Sequence, residues 1–200
     1  MRKFLLTLPA LALLVASPAA AKSFVINPQA GVVGQDLTGD VPDLDDSAKL
    51  GYGLGGNLRF GGRGYLSPGI YWEHTSLEAT TTDDATLEEV TDNLEVSSIR
   101  VPLHFGYNLS SGDAMSMGSL GFRVYGGPSA TMIMDVDDNA FLIEKDDYKD
   151  TIWGAQVGAG LDLSSVTIDA SYEWGLTNVF KSDTDDKKQN VARGMVGLKF

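Results

Sequence analysis

The chain has 200 residues, no cysteine and a formal charge of −12, with 43% hydrophobic residues, enough to fold as one domain. Twenty-seven acidic residues against fifteen basic ones argue against a nucleic-acid binder, which needs a basic footprint. The absent cysteines exclude a disulfide scaffold, a Cys-ligated zinc site and thiol catalysis, and two histidines, His74 and His104, leave little for a metal centre.

Met1-Arg2-Lys3 is a basic start, Phe4 to Val15 an apolar run, and Ser17 to Ala21 a small-residue close with Ala19-x-Ala21 as cleavage site. Residues 1–21 therefore read as a secretory signal peptide, too short in its apolar run for the ~20 residues of a membrane-spanning helix. Residues 22–200 form the mature domain. Within it, apolar and other residues alternate with period two, the pattern of half-buried strands. Phe24–Val33 sets Phe24, Ile26, Ala30 and Val32 against Asn27 and Gln29. Lys49–Gly61 sets Leu50, Tyr52, Leu54, Leu58 and Phe60 against Asn57 and Arg59. Tyr65–Thr75 sets Leu66, Pro68, Ile70 and Trp72 against Ser67, Tyr71, Glu73 and Thr75. Val96–Leu109 sets Ile99, Val101, Leu103, Phe105 and Tyr107 against Arg100, His104 and Asn108. Leu120–Met134, Thr151–Leu163, Val166–Phe180 and a last strand ending at Phe200 continue the pattern. Each is near the ~9–11 residues of a tilted membrane strand.

Long connections (Gln35–Ala48, Ser76–Glu95, Asp135–Asp150, Lys181–Asn190) alternate with shorter ones (Gly61–Gly64, Ser110–Ser119, Ser164–Ser165). The fold class that follows is all-β: an eight-stranded antiparallel up-and-down transmembrane barrel with short periplasmic turns and long extracellular loops. The apolar phase is bulky and the other phase is rich in glycine, so the glycine-rich polar phase fits a narrow eight-stranded lumen and the apolar phase meets lipid. Trp72, Trp153 and Trp174 then fall at the outer rim on the lipid face, and Phe60, Phe105, Tyr107, Phe122 and Phe200 toward the inner rim, as two aromatic girdles. Phe200, following Val196 and Leu198 in phase, resembles the terminal insertion signal of bacterial outer-membrane barrels.

Tyr172-Glu173-Trp174-Gly175-Leu176-Thr177-Asn178 resembles the Y-x-x-G-L-x-N segment of PorT-like outer-membrane β-barrels. Arg100-Val101-Pro102-Leu103-His104-Phe105-Gly106-Tyr107 is similar to their Pro-Leu strand, and Tyr125-Gly126-Gly127-Pro128-Ser129 to their G-G-P strand start. Leu66-Ser67-Pro68-Gly69-Ile70-Tyr71 departs from the matching strand by carrying Gly69 where an acidic residue is usual. The resemblance implies a bacterial outer-membrane barrel and specifies a fold rather than an activity.

The lumen phase carries Arg59, Arg100, Arg123, Arg193 and Lys199 with Glu73, Asp162, Asp169 and Glu173, and also His104. In a narrow interior these charges must pair, which predicts a salt-bridged plug rather than a porin-like channel. A hydrolase alternative uses His74, Ser76 and Glu88 at the outer rim to modify lipid A. A narrow solute channel is a second alternative. Asp135-x-Asp137-x-Asn139 opens like a calcium loop, but Ala140 and Asp146 replace its glycine and glutamate. No enzyme activity and no cofactor are expected. Expected partners are outer-membrane lipid and lipopolysaccharide, the barrel-assembly machinery during insertion, and an extracellular protein or divalent cations at the loops; nucleic acid is not. The long connections, counted from Glu78 in the second, hold 22 acidic and 5 basic residues, so the acidity is a crown on a nearly neutral barrel.

Overall fold

Val, Ile, Thr, Tyr and Phe suit a pleated, half-buried surface, and their alternation with small or polar residues gives each strand two unlike faces. The computed structural model describes residues 24–38, 47–48, 50–82, 89–109, 120–136, 151–178 and 188–200. The expected signal peptide lies outside the described residues, as do Glu88, Asp137, Asn139, Ala140 and Asp146. Nine strand segments occur among the described residues: β1 (Phe24–Thr38), β2 (Ser47–Ala48), β3 (Leu50–Gly61), β4 (Gly64–Thr82), β5 (Glu89–Asn108), β6 (Leu120–Val136), β7 (Ile152–Leu163), β8 (Val166–Gly175) and β9 (Lys188–Leu198). Segments β2 and β3 both pair with β4 and share one stave, so the barrel has eight. Neighbouring staves are antiparallel, and β1 with β9 closes the ring from Gln29↔Gly197 to Thr38↔Lys188. Reciprocal backbone bonds of 3.0 and 2.9 Å between Ile26 and Phe200 extend that seam. No helix among the described residues is long and apolar enough to cross a membrane.

Four expected boundaries are corrected. Ser76–Glu95 is not a loop over most of its length: β4 and β5 stay paired from Ser76↔Glu95 to Thr82↔Glu89. The period-two contrast fades in the sequence here, while Thr80, Thr81, Thr82, Val90 and Thr91 keep their preference for extended backbone. In the other direction, β8 ends at Gly175 rather than running to Phe180. The first and last long connections also shorten, because Asp36↔Asn190 and Leu37↔Gln189 belong to the β1–β9 ladder.

Phe24, Ile26, Leu54, Ile70, Phe122, Val157, Ile168 and Val196 are exposed on the outer wall, an apolar surface that suits lipid and not water. Inside, glycines make room for large rings. Tyr65 faces Gly106 across β4–β5, and Tyr125 faces Gly158 across β6–β7. A β carbon at Gly106 would sit 2.0 Å from the Tyr65 ring, and one at Gly158 would sit 2.5 Å from Tyr125.

Candidate functional site

The lumen phase brings charge from seven strands to one axis. Arg59 of β3 donates to both oxygens of Asp162 of β7, at 3.1 and 3.0 Å. Arg123 of β6 donates to Asp162 at 3.1 Å and clamps Asp169 of β8 with two bonds of 2.6 and 2.7 Å. That parallel pair is the strong form of a guanidinium–carboxylate contact. Nearer the long connections, Glu73 of β4 accepts from Arg100 at 2.7 Å and from Arg193 of β9 at 2.8 and 2.9 Å. Arg193 also reaches Glu173 at 2.9 Å. Four arginines thus meet four carboxylates, all buried, with no net charge between them. Lys199 is buried at the turn end of the same lumen.

Neutral groups that parity of position alone does not single out tie the charges together. Gln156 accepts from Arg100 at 3.0 Å and lies 2.8 Å from His104 Nε2. Gln29 donates to Asp169 at 2.6 Å, and its carbonyl accepts from Asn57 at 3.0 Å and from Tyr71. Tyr71 in turn lies under the Arg100 guanidinium, 4.5 Å from ring centre to carbon. The two carboxylate clusters are therefore joined through Gln29 and Tyr71.

Sequence reasoning also missed an apolar layer. Val33, Val96, Ile133, Ile152 and Val191 point inward from five strands and are buried on the long-connection side of Glu73 and Arg193. They share the parity of the charged residues, which is the signal that could have found them. One cavity of about 20 Å³ lies among Asn57, Tyr65 and Tyr125, and another of about 20 Å³ lies between this layer and Glu73. Each has room for about one water molecule.

On the outer wall, Trp174 lies late in β8, Trp153 early in β7 and Trp72 midway along β4, and all three are exposed. Trp72 packs edge-on to Tyr52 at 5.6 Å, and Trp174 edge-on to Tyr172 at 5.1 Å. Phe24 packs on Phe60 at 5.2 Å toward the turn end, where Phe200 is exposed on the same wall.

His74 is on this outer wall, but its partners are not those that spacing along one strand selects. Its Nδ1 lies 3.0 Å from the Ser97 hydroxyl, and its Nε2 lies 3.5 Å from Glu95. The cross-strand register sets His74 directly opposite Ser97, whereas Ser76 stands opposite Glu95. Among the described residues, no three His, Asp or Glu side chains gather into a metal-binding group.

The model of a family described as outer membrane protein beta-barrel domain matches residues 6–200. No curated protein matches the chain. Among solved structures, OprG of Pseudomonas aeruginosa is similar with a TM-score of 0.54 at 11% identity, covering 90% of this chain and 97% of that one. Ail of Yersinia pestis, solved with the heparin analogue sucrose octasulfate, is similar with a TM-score of 0.52 at 15% identity, covering 89% and 99%. Both likenesses are to the fold.

Proposed function

We propose that this chain, which belongs to the outer membrane protein beta-barrel domain family, is a small bacterial outer-membrane barrel that conducts nothing and works at its outer face. The observation that carries the reading is the lumen: a self-neutralising network of Arg59, Arg100, Arg123, Arg193, Glu73, Asp162, Asp169 and Glu173 lying under the apolar layer of Val33, Val96, Ile133, Ile152 and Val191. Ions crossing it would have to break buried pairs and then wet an apolar constriction. The surplus charge lies instead on the long connections, net −17 in sequence, which suits basic partners or divalent cations outside the cell. It opposes a polyanion of the kind solved with Ail. The leader at residues 1–21 supports export, and the Tyr172–Asn178 and Arg100–Tyr107 motifs support a PorT-like assignment within the family. Planar-bilayer recording on the refolded protein tests the closed lumen. A flat baseline is expected, and large, stable single-channel steps overturn the reading.

A further inference from the structure

We propose that Ser97, His74 and Glu95 form an ester-hydrolysing triad on the lipid-facing wall, acting on an acyl ester of a lipid in the leaflet at the long-connection end. The site does not use the lumen network and takes only Glu95 from the acidic second connection, so it stands apart from the closed-lumen reading.

Strand register builds it. Tyr52, His74 and Ser97 are successive partners across β3, β4 and β5, so their side chains form one row on the outer wall. Glu95 is two residues from Ser97 and shares that face. The His74 ring is held between Trp72, stacked at 6.0 Å, and Tyr52, tilted at 5.2 Å. In that pose one nitrogen faces the serine and the other faces the carboxylate. Glu95 lies 3.5 Å from Nε2, an ion-pair distance, and in the Nε2–H tautomer the Nδ1 lone pair accepts from the Ser97 hydroxyl. A serine–histidine contact alone would be a cross-strand packing pair. The carboxylate on the far nitrogen supplies the third member of a nucleophile, base and orienting-group chain. The β5–β6 register shifts by one residue at Ser97/Ser98.

Depth selects the substrate class. His74 is two residues beyond Trp72, about 7 Å along the strand. Tryptophans on a barrel wall sit at headgroup level, where the acyl esters of membrane lipids also lie. The histidine is 21% and the glutamate 44% exposed, so a lipid ester can reach the site from the side.

The reaction balances with water alone. Ser97 Oγ attacks the ester carbonyl as its proton passes to His74 Nδ1. The tetrahedral intermediate collapses, the C–O bond to the lipid alcohol breaks, and that alkoxide takes the proton from His74. Water then adds to the acyl-serine, giving its proton to His74. Collapse returns the proton to Ser97 and frees a fatty acid. Ser97 and His74 are the catalytic residues, and Glu95 is a positioning residue.

The test uses the refolded full chain in mixed micelles, with acylated lipid A in one arm and phosphatidylethanolamine in the other, read by mass spectrometry. Fatty acid released in either arm supports the proposal, and the arm that responds names the lipid. Ser97→Ala and His74→Gln are expected to lose at least about a hundredfold in rate. Both variants should keep the heat-dependent gel shift of a folded barrel. Glu95→Gln should lower kcat with KM unchanged, and Glu95→Asp should restore part of it. No release in either arm by the folded wild type overturns the proposal, as does full activity in folded Ser97→Ala.

Discussion

Glu73 shows what a single lumen side chain carries. It accepts from Arg100 and Arg193 together, so removing its charge takes a carboxylate from two buried guanidinium groups, of which Arg193 keeps Glu173. Glu73→Gln keeps the shape and is expected to cost about 3–5 kcal/mol, because breaking one member of a buried ion pair leaves the other uncompensated. Urea unfolding of the vesicle-inserted protein measures this as a lower midpoint. Replacing Glu73 and Arg193 together with apolar residues of similar volume should recover part of the loss; equal instability of the single and double variants would refute the pairing. Position parity in the sequence groups Glu73 with Arg100 and Arg193 but does not say who meets whom. Glu73 lies on β4 and Arg193 on β9, strands that are not neighbours, and their meeting depends on the width and closure of the ring. Parity also groups Val96 and Ile133 with the charges; they escape notice because an apolar residue in a polar phase has no chemical mark of its own.

Among the elements, the β7–β8 connection is the tightest. Leu163 pairs with Val166, leaving Ser164 and Ser165 as a two-residue turn. Ser164 has a φ of 56°, a left-handed conformation that favours glycine, in the first turn position where a II′ hairpin takes that residue. Ser164→Gly is therefore expected to stabilise the barrel by up to about 1 kcal/mol, seen as a higher urea midpoint with an unchanged slope. Strand number and antiparallel order were legible because lipid on one side and a packed lumen on the other force strict alternation. Strand length was not: Thr80 to Thr82 and Val90 to Thr91 stay paired, but their sequence shows no period-two phase. The rim cluster was hidden for a related reason. His74 and Ser76 are close in sequence, but the register turns His74 toward Ser97, and Glu95 stands where the strand continues rather than in a loop.

The whole molecule is a closed sheet whose β1–β9 seam leaves no exposed edge among the described residues. An unheated sample in detergent is expected to migrate ahead of a heated one, because the closed barrel binds less detergent and stays compact; identical migration would contradict closure. The lumen pairs also span long stretches of chain: 103 residues between Arg59 and Asp162, 120 between Glu73 and Arg193, and 140 between Gln29 and Asp169. None of these contacts can form while the first and last strands are apart. In a half-wound sheet these charges would lack their distant partners, so the network is complete only once the ring is closed. Such late, distant contacts slow folding, and by the same token they slow escape from the native state. Once inserted, the barrel is held as much by the height of its unfolding barrier as by the depth of its well.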